Sequence, residues 1–169
     1  FIENGPYLIT GTDFCNGYIN WKTCVHITKN RFEEDELLHI QENDLLITKD
    51  GTIGKVAIVK KCPKETSLNS GVMIIRNNSK YVYDTKYMYY ILLSDEFKHW
   101  FEYCQKPGST IKHLYQHQFS EFKYAFPTLE EQQEIVDYLD AKCHSIEQAI
   151  QKQKDIVEKL KEYRQSVIT

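Results

Sequence analysis

Residues 128–169 read TLEEQQEIVDYLDAKCHSIEQAIQKQKDIVEKLKEYRQSVIT, and this stretch decides the organisation of the chain. Leu129, Gln132, Val136, Leu139, Cys143, Ile146, Ile150, Gln153, Val157, Leu160, Arg164 and Val167 follow one another at alternating steps of three and four. All but Gln132, Gln153 and Arg164 are apolar or Cys, and neither Gly nor Pro interrupts the run. That spacing is the roughly 3.5-residue period of a coiled-coil seam. Ile135, Ala149, Ile156 and Tyr163 lie beside the seam and widen it. At a rise of ~1.5 Å per residue such a helix reaches roughly 60 Å, about twice the diameter of a small domain. The stripe therefore needs a second helix.

The start of the helix is marked. Thr128-Leu129-Glu130-Glu131 fits a capping box, with Thr128 as cap and Glu131 reaching back to its backbone N–H. Glu130, Glu131 and Glu134 favour the positive end of the helix dipole. The 169 residues then leave room for one domain ahead of the helix, predicted over 1–126, with the helix over 127–169. Phe1 in place of an initiator Met reads as the start of a part cut from a longer chain.

No stretch approaches the ~18 consecutive apolar residues of a membrane span, and no basic–apolar leader opens the chain, so no membrane partner is expected. Cys15, Cys24, Cys62, Cys104 and Cys143 are odd in number and form no C-x-x-C pair. Reduced thiols in a cytoplasmic protein are the expectation. The net charge of −3 argues against a uniformly basic nucleic-acid binder. Residues 1–126 carry fifteen Lys or Arg against fifteen Asp or Glu, and 127–169 carry six against nine. The deficit thus lies on the helix, and the domain is neutral. Within it, Glu33 to Glu36 form an acidic knot, whereas Lys49, Lys55, Lys60, Lys61 and Lys64 crowd one stretch. Gln105 to Gln118 holds Lys106, Lys112, His113 and His117 with no acid. A locally basic face is one reading and an ordinary solvated surface the other.

The first half of the domain reads as strands and turns. Tyr7 to Thr10 is a short strand ended by Gly11, and Asn16-Gly17 is a turn before Tyr18-Ile19. Asp44 to Thr48 and Thr52 to Val59 are strand-like runs with Asp50-Gly51 near their junction, which predicts a tight hairpin. Val72 to Ile75 is a buried-strand candidate. Thr85 to Tyr103 turns helical, as two helices broken near Ser94-Asp95, and Tyr124 to Phe126 is predicted as a last strand. The fold class expected is α+β: a mixed, mostly β core with short helices, followed by a long coiled-coil helix.

Four segments, in order, resemble the specificity subunit of type I restriction–modification enzymes. Pro6 to Thr10 with Asn16 to Ile19 is similar to the early part of that family's target recognition domain. Asp44 to Lys55, containing Gly51-Thr52-Ile53-Gly54-Lys55, is similar to its hairpin. Gly108-Ser109-Thr110-Ile111-Lys112-His113-Leu114 is similar to the loop after its aromatic helices, and Phe126 to Val136 to the start of its conserved spacer helix. The resemblance implies a DNA specificity role without catalysis, in a subunit whose two such domains each read half of a split sequence. It implies antiparallel pairing of two long helices, which sets the distance between the domains. It also implies methylation subunits that bind S-adenosylmethionine and a restriction subunit that uses ATP and magnesium, with no cofactor in this chain. The chain departs from the full pattern in holding one domain and one helix, with the segment ahead of Pro6 largely missing; a half-subunit and a fragment both fit.

At the hairpin, Lys49, Thr52 and Lys55 are candidate DNA contacts that fix register through phosphates. The plainer reading makes the hairpin scaffold, with Gly51 serving the turn and Gly54 close packing. In the following loop, Ser109, Thr110, Lys112, His113, Gln116 and His117 combine hydroxyls, cations and an amide with no carboxylate, suited to clamping a backbone while reaching a base edge. The plainer reading is a surface loop in which His113 is satisfied locally. His99, Cys104, His113 and His117 suggest a metal only by the i, i+4 spacing of the last two; without an H-E-x-x-H or paired Cys, none is expected. Tyr87, Tyr89, Tyr90, Phe97, Trp100, Phe101 and Tyr103 have the spacing of core, with Tyr89 the expected exposed exception. Val136, Leu139, Ile146, Ile150, Val157 and Leu160 are the predicted helix-pairing positions, in a homodimer or with a second half-subunit. The competing function is a coiled-coil adaptor whose head binds protein rather than double-stranded DNA.

Overall fold

Leu45, Leu46 and Ile47 are each fully buried, and neighbouring residues of a strand face opposite ways, so the strand that carries them is covered on both sides. This is why the sequence there is a continuous apolar run rather than an alternation. The computed structural model describes residues 2–77, 82–105 and 112–168. Its strands are β1 (Ile2–Ile9), β2 (Phe14–Cys15), β3 (Tyr18–Ile19), β4 (Val25–His26), β5 (Leu45–Thr48), β6 (Val56–Ile58), β7 (Thr66–Leu68) and β8 (Val72–Ile75). Its helices are α1 (Lys29–Glu33), α2 (Thr85–Leu93), α3 (Asp95–Cys104), α4 (Gln116–Phe119) and α5 (Leu129–Ile168). The class is α+β.

Two mixed sheets result. One has the order β4-β1-β7, with β1 antiparallel to β4 and parallel to β7. The other has the order β2-β3-β6-β5-β8, in which β3 and β6 are parallel and the remaining neighbours antiparallel. Leu45, Ile47, Val56, Ile58 and Met73 share one core with Met88, Leu92, Phe97 and Leu114. Leu46, Ala57 and Val72 face the other way, into a second core with Ile9, Ile19, Leu68 and Val59. The register Leu46↔Ala57 and Leu46↔Ile74 fixes this division, because a slip of one residue would exchange the two sets.

The β2–β3 connection is a two-residue turn with both Asn16 (φ 49) and Gly17 (φ 79) left-handed, the geometry that matches strand twist. The tight hairpin expected at Asp50-Gly51 is instead a seven-residue loop, because β6 begins at Val56 rather than at Thr52. Close packing does not explain Gly54. A Cβ there would meet none of the described residues within 4 Å, and the glycine is required by a φ of 82.

The two helices after β8 meet at Ser94. Its backbone N–H bonds Ile91 O as α2 ends, and its hydroxyl accepts from Phe97 N as α3 begins. Phe97, Trp100 and Phe122 then pack at centroid distances of 5.0 to 5.6 Å, so these rings are core rather than a stacking platform. Tyr89 is half-buried; the exposed aromatic of this region is Tyr103, at 89%. Tyr124 to Phe126 is not a strand: Phe122 stacks on Tyr124, and Phe126 meets Tyr124 edge-on, in a segment outside both sheets.

Cα proximity divides the chain into residues 1–129 and residues 130–169. The second unit is α5, a helix of 40 residues counted from Leu129. Its buried residues are Gln132 and Val136, and beyond Asp140 each described residue is exposed. Ile146 (58%), Ile150, Val157 and Leu160 thus present the predicted seam bare, whereas Val136 (3%) is buried and Leu139 half-buried. No helix among the described residues is long and apolar enough to cross a membrane.

Candidate nucleic-acid interface

The ends of β1, β5 and β7 and the beginnings of β6 and β8 lie together, since Ile9 is paired with Leu68, Ile47 with Val56 and Thr48 with Val72. The loops leaving these strands form one surface. Thr48 organises the hairpin loop: its side chain is buried, its hydroxyl donates to Thr52 O at 2.6 Å, and it accepts from Lys55 N at 3.0 Å. Gly51 (φ 65) and Gly54 complete the loop with left-handed backbone. Lys49 N donates to Gly71 O at 2.8 Å, which ties the hairpin to the β7–β8 loop.

The segment after α3 reaches the same surface. Leu114 N donates to Lys49 O at 3.1 Å, and the His113 imidazole bonds the Asp50 carboxylate. Leu114 is fully buried and anchors this junction in the core. The structure therefore brings Lys49, Thr52, Lys55, Lys112 and His113 to one side of the domain. Thr52 and Lys112 are exposed, Lys49 and Lys55 half-buried, and Lys55 Nζ approaches Gly11 O at 3.4 Å. Gln116 and His117 are exposed on α4, where Tyr115 stacks between His113 (4.4 Å) and His117 (5.5 Å). Ser109 and Thr110 lie outside the described residues.

The lysine-rich stretch of the sequence is split by the hairpin. Lys49 and Lys55 sit at one end of β5 and β6, while Lys60 bonds Asn43 and Lys61 N bonds Glu42 Oε1 at the other. Proximity in sequence misled here, because antiparallel strands send their two ends apart. Arginine readout is also restricted. Arg76 forms a two-bond fork on the buried Asp44, through Nε at 2.6 Å and Nη2 at 2.5 Å, which holds the guanidinium above its ordinary pKa. Arg31 pairs with Glu34 on α1, and Arg164 lies on α5.

Two clefts border the surface. One of about 540 Å³ is lined by Gly51, Gly54 and Lys112 with Leu92, Phe97 and Phe101. The other, about 600 Å³, is lined by Lys49, Asn69 and Ser70 with Arg31 and Asp35. The 69–71 loop was not singled out in the sequence; its only signal was the Asn-Ser-Gly run between two strand-like segments. No cluster of three or more His, Cys, Asp or Glu among the described residues is placed to hold a metal. The polar groups this surface offers are lysine ammoniums, hydroxyls, amides and the Asp50–His113 pair.

Residues 1–156 match the family model described as the type I restriction modification DNA specificity domain. The HsdS subunit from Thermoanaerobacter tengcongensis has a similar fold, with a TM-score of 0.66 at 15% identity over 85% of this chain and 37% of that one. A chain from work on complex assembly and conformational transition of the type I R-M system gives 0.58 at 17%, over 85% of this chain and 32% of that one. This chain thus spans about a third of the length of each. No curated protein matches it. With the family match running from the first strand through most of α5, and with the fold shared, the chain belongs to the type I restriction–modification DNA specificity domain family.

Proposed function

We propose that this chain reads one half of a split duplex sequence as the specificity part of a type I restriction–modification system. In this role it catalyses nothing. Lys49, Lys55 and Lys112 contact phosphates and fix register, while Thr52, His113, Gln116 and His117, with Ser109 and Thr110, supply groups for backbone and base edges. The observation that carries the reading is the junction of Lys49-Asp50 with His113-Leu114, which joins two segments far apart in sequence into one surface. A protein-binding adaptor requires no such convergence of strand-end loops. The bare seam of Ile146, Ile150, Val157 and Leu160 pairs antiparallel with the helix of a second copy or of a second half-subunit, so that two heads stand at a set spacing. Methylation and restriction subunits dock on this assembly and bring S-adenosylmethionine, ATP and magnesium. The test is to isolate the full specificity subunit with its methylation subunits and map methylated adenines in DNA exposed to the complex. A bipartite motif with fixed spacing is expected; methylation without a shared motif would overturn the reading.

A further inference from the structure

We propose that Asn69, on the loop between β7 and β8, is a specificity-determining residue whose amide N–H donates to a base edge presenting an acceptor. The inference rests on the DNA-reading role just proposed and names a contact within it. Asn69 stands on the same surface as the hairpin. Its backbone N donates to Ile9 O at 2.9 Å, its carbonyl accepts from Val72 N at 3.2 Å, and the next peptide but one is bonded to Lys49. It also lines the 600 Å³ cleft together with Lys49 and Ser70.

The orientation of its side chain follows from hydrogen-bond chemistry. Gly71 N lies 3.1 Å from Oδ1, and an N–H can be received only by the amide oxygen. The Nδ2 group is thereby turned away from Gly71 N–H, on a half-buried residue, and it has no hydrogen-bond partner among the described residues. Both backbone groups and Oδ1 are engaged, so the donor is held before any DNA arrives, and little rotamer freedom remains to be lost on binding. Asp50 adds an acceptor on the other side of Gly71: a Cβ there would lie 3.4 Å from Asn69 Oδ1 and 3.8 Å from Asp50 Oδ2, while Oδ1 of the same carboxylate is taken by His113. A fixed neutral donor, with a carboxylate acceptor across Gly71 from it, is suited to a base edge. Lys49, on the same cleft, is suited to phosphate. In the major groove an N–H donor matches purine N7, guanine O6 or thymine O4 and finds no partner in the cytosine amine.

The decisive variant is Asn69→Asp. It keeps an oxygen for Gly71 N–H and replaces the outward donor with an acceptor, leaving shape and loop unchanged. The full specificity subunit, in complex with its methylation subunits, is used to select from a pool of random duplexes, and the enriched sequences are compared. Wild type is expected to enrich a bipartite motif. Asn69→Asp is expected to keep that motif except at one position in one half, where a base presenting an acceptor gives way to cytosine or to the amine of adenine. The preference there should change by about tenfold or more. Asn69→Ser, which can still accept from Gly71 N–H but is too short to reach outward, should relax that position and move no other. An unchanged motif in both variants overturns the proposal, as does a uniform loss of affinity that leaves the motif intact, which marks a phosphate contact. If wild type itself enriches no motif, the DNA-reading role falls first and this contact with it.

Discussion

The imidazole of His113 is hydrogen-bonded to the carboxylate of Asp50, a residue 63 positions earlier, beside the backbone bond from Leu114 N to Lys49 O. The pair does two things. It locks the hairpin loop to the segment before α4, and it sets a cationic or donor group against an exposed carboxylate that phosphate would otherwise meet. Asp50→Asn should therefore strengthen non-specific duplex binding and steepen the slope of log K on log salt by about 0.9, the increment for one phosphate. His113→Ala should weaken binding, because the carboxylate is left unopposed. Anisotropy titrations at several salt concentrations check both signs.

Lys49, Lys55 and Lys112 are the described lysines of this surface, which sets the expected salt response. Three phosphates neutralised give a slope near −2.7 at ~0.9 per phosphate. Lys49→Ala and Lys112→Ala should each reduce it by about 0.9. Lys55→Ala should reduce it less, since its ammonium is already close to Gly11 O. Variants that leave the slope untouched would remove these residues from the contact surface.

Thr48→Val preserves volume and removes the hydroxyl that bonds Thr52 O and Lys55 N. Two backbone groups then lose their partner, at a cost of about 1–3 kcal/mol if they stay dry. Urea unfolding should show a lower midpoint at unchanged slope. Duplex affinity should fall with it, because the loop shape depends on the same two bonds.

Tyr83 has no hydrogen-bond partner for its buried hydroxyl among the described residues, and burial pushes its pKa up to about 12; burial also pushes the Cys24 thiol up to about 12. Both groups are held neutral in the fold. The unfolded chain ionises Cys near ~8.5 and Tyr near ~10, so the stability from these groups is intact below those values. It is lost as pH rises toward 12, since the unfolded state releases its protons first. Tyr83→Phe should leave stability at pH 7 equal or higher by up to about 1 kcal/mol, because no bond is broken. It should also move alkaline unfolding upward. Unfolding curves recorded from neutral pH to pH 11 check both.

Ile150 and Leu160 stand on the bare part of α5, at 49% and 60% exposure. Ile150→Asp with Leu160→Asp should abolish pairing through the helix while leaving the strand-rich unit folded. Sedimentation velocity should show the paired species replaced by the single one. If wild type is already single at tens of micromolar, a helix from another half is the partner instead.

Much of the architecture is legible in the residues. The three-four spacing from Leu129 to Val167 has one physical solution, a helix. Ser94-Asp95 announces a cap, and the apolar runs at Leu45 and Val72 announce strands covered on both faces. The failure at Tyr124 to Phe126 is instructive, because alternation reports only that one side of an extended chain is covered. There Phe122 and Tyr124 pack against the helix-covered core, and Tyr87 Oη donates to Ala125 O at 2.8 Å where a neighbouring strand would have bonded. The hairpin and the segment at Lys112-His113 were readable as separate candidates. Their junction was not, since Asp50 and His113 carry no mark of each other in sequence. Asn69 escaped notice for the same reason: its value lies in which of its atoms the loop consumes.

Gly51 and Gly54, with no described residue within 4 Å of a Cβ at either, bear on how such a domain could diversify. Torsion alone disfavours a side chain at these positions, at about 1–2 kcal/mol for a left-handed residue and less for Asn or Asp. Among the described residues, a substituent placed there would disturb no packed neighbour. New recognition could therefore arise at the rim by single codon changes, with the hydrophobic interior bearing none of the consequences.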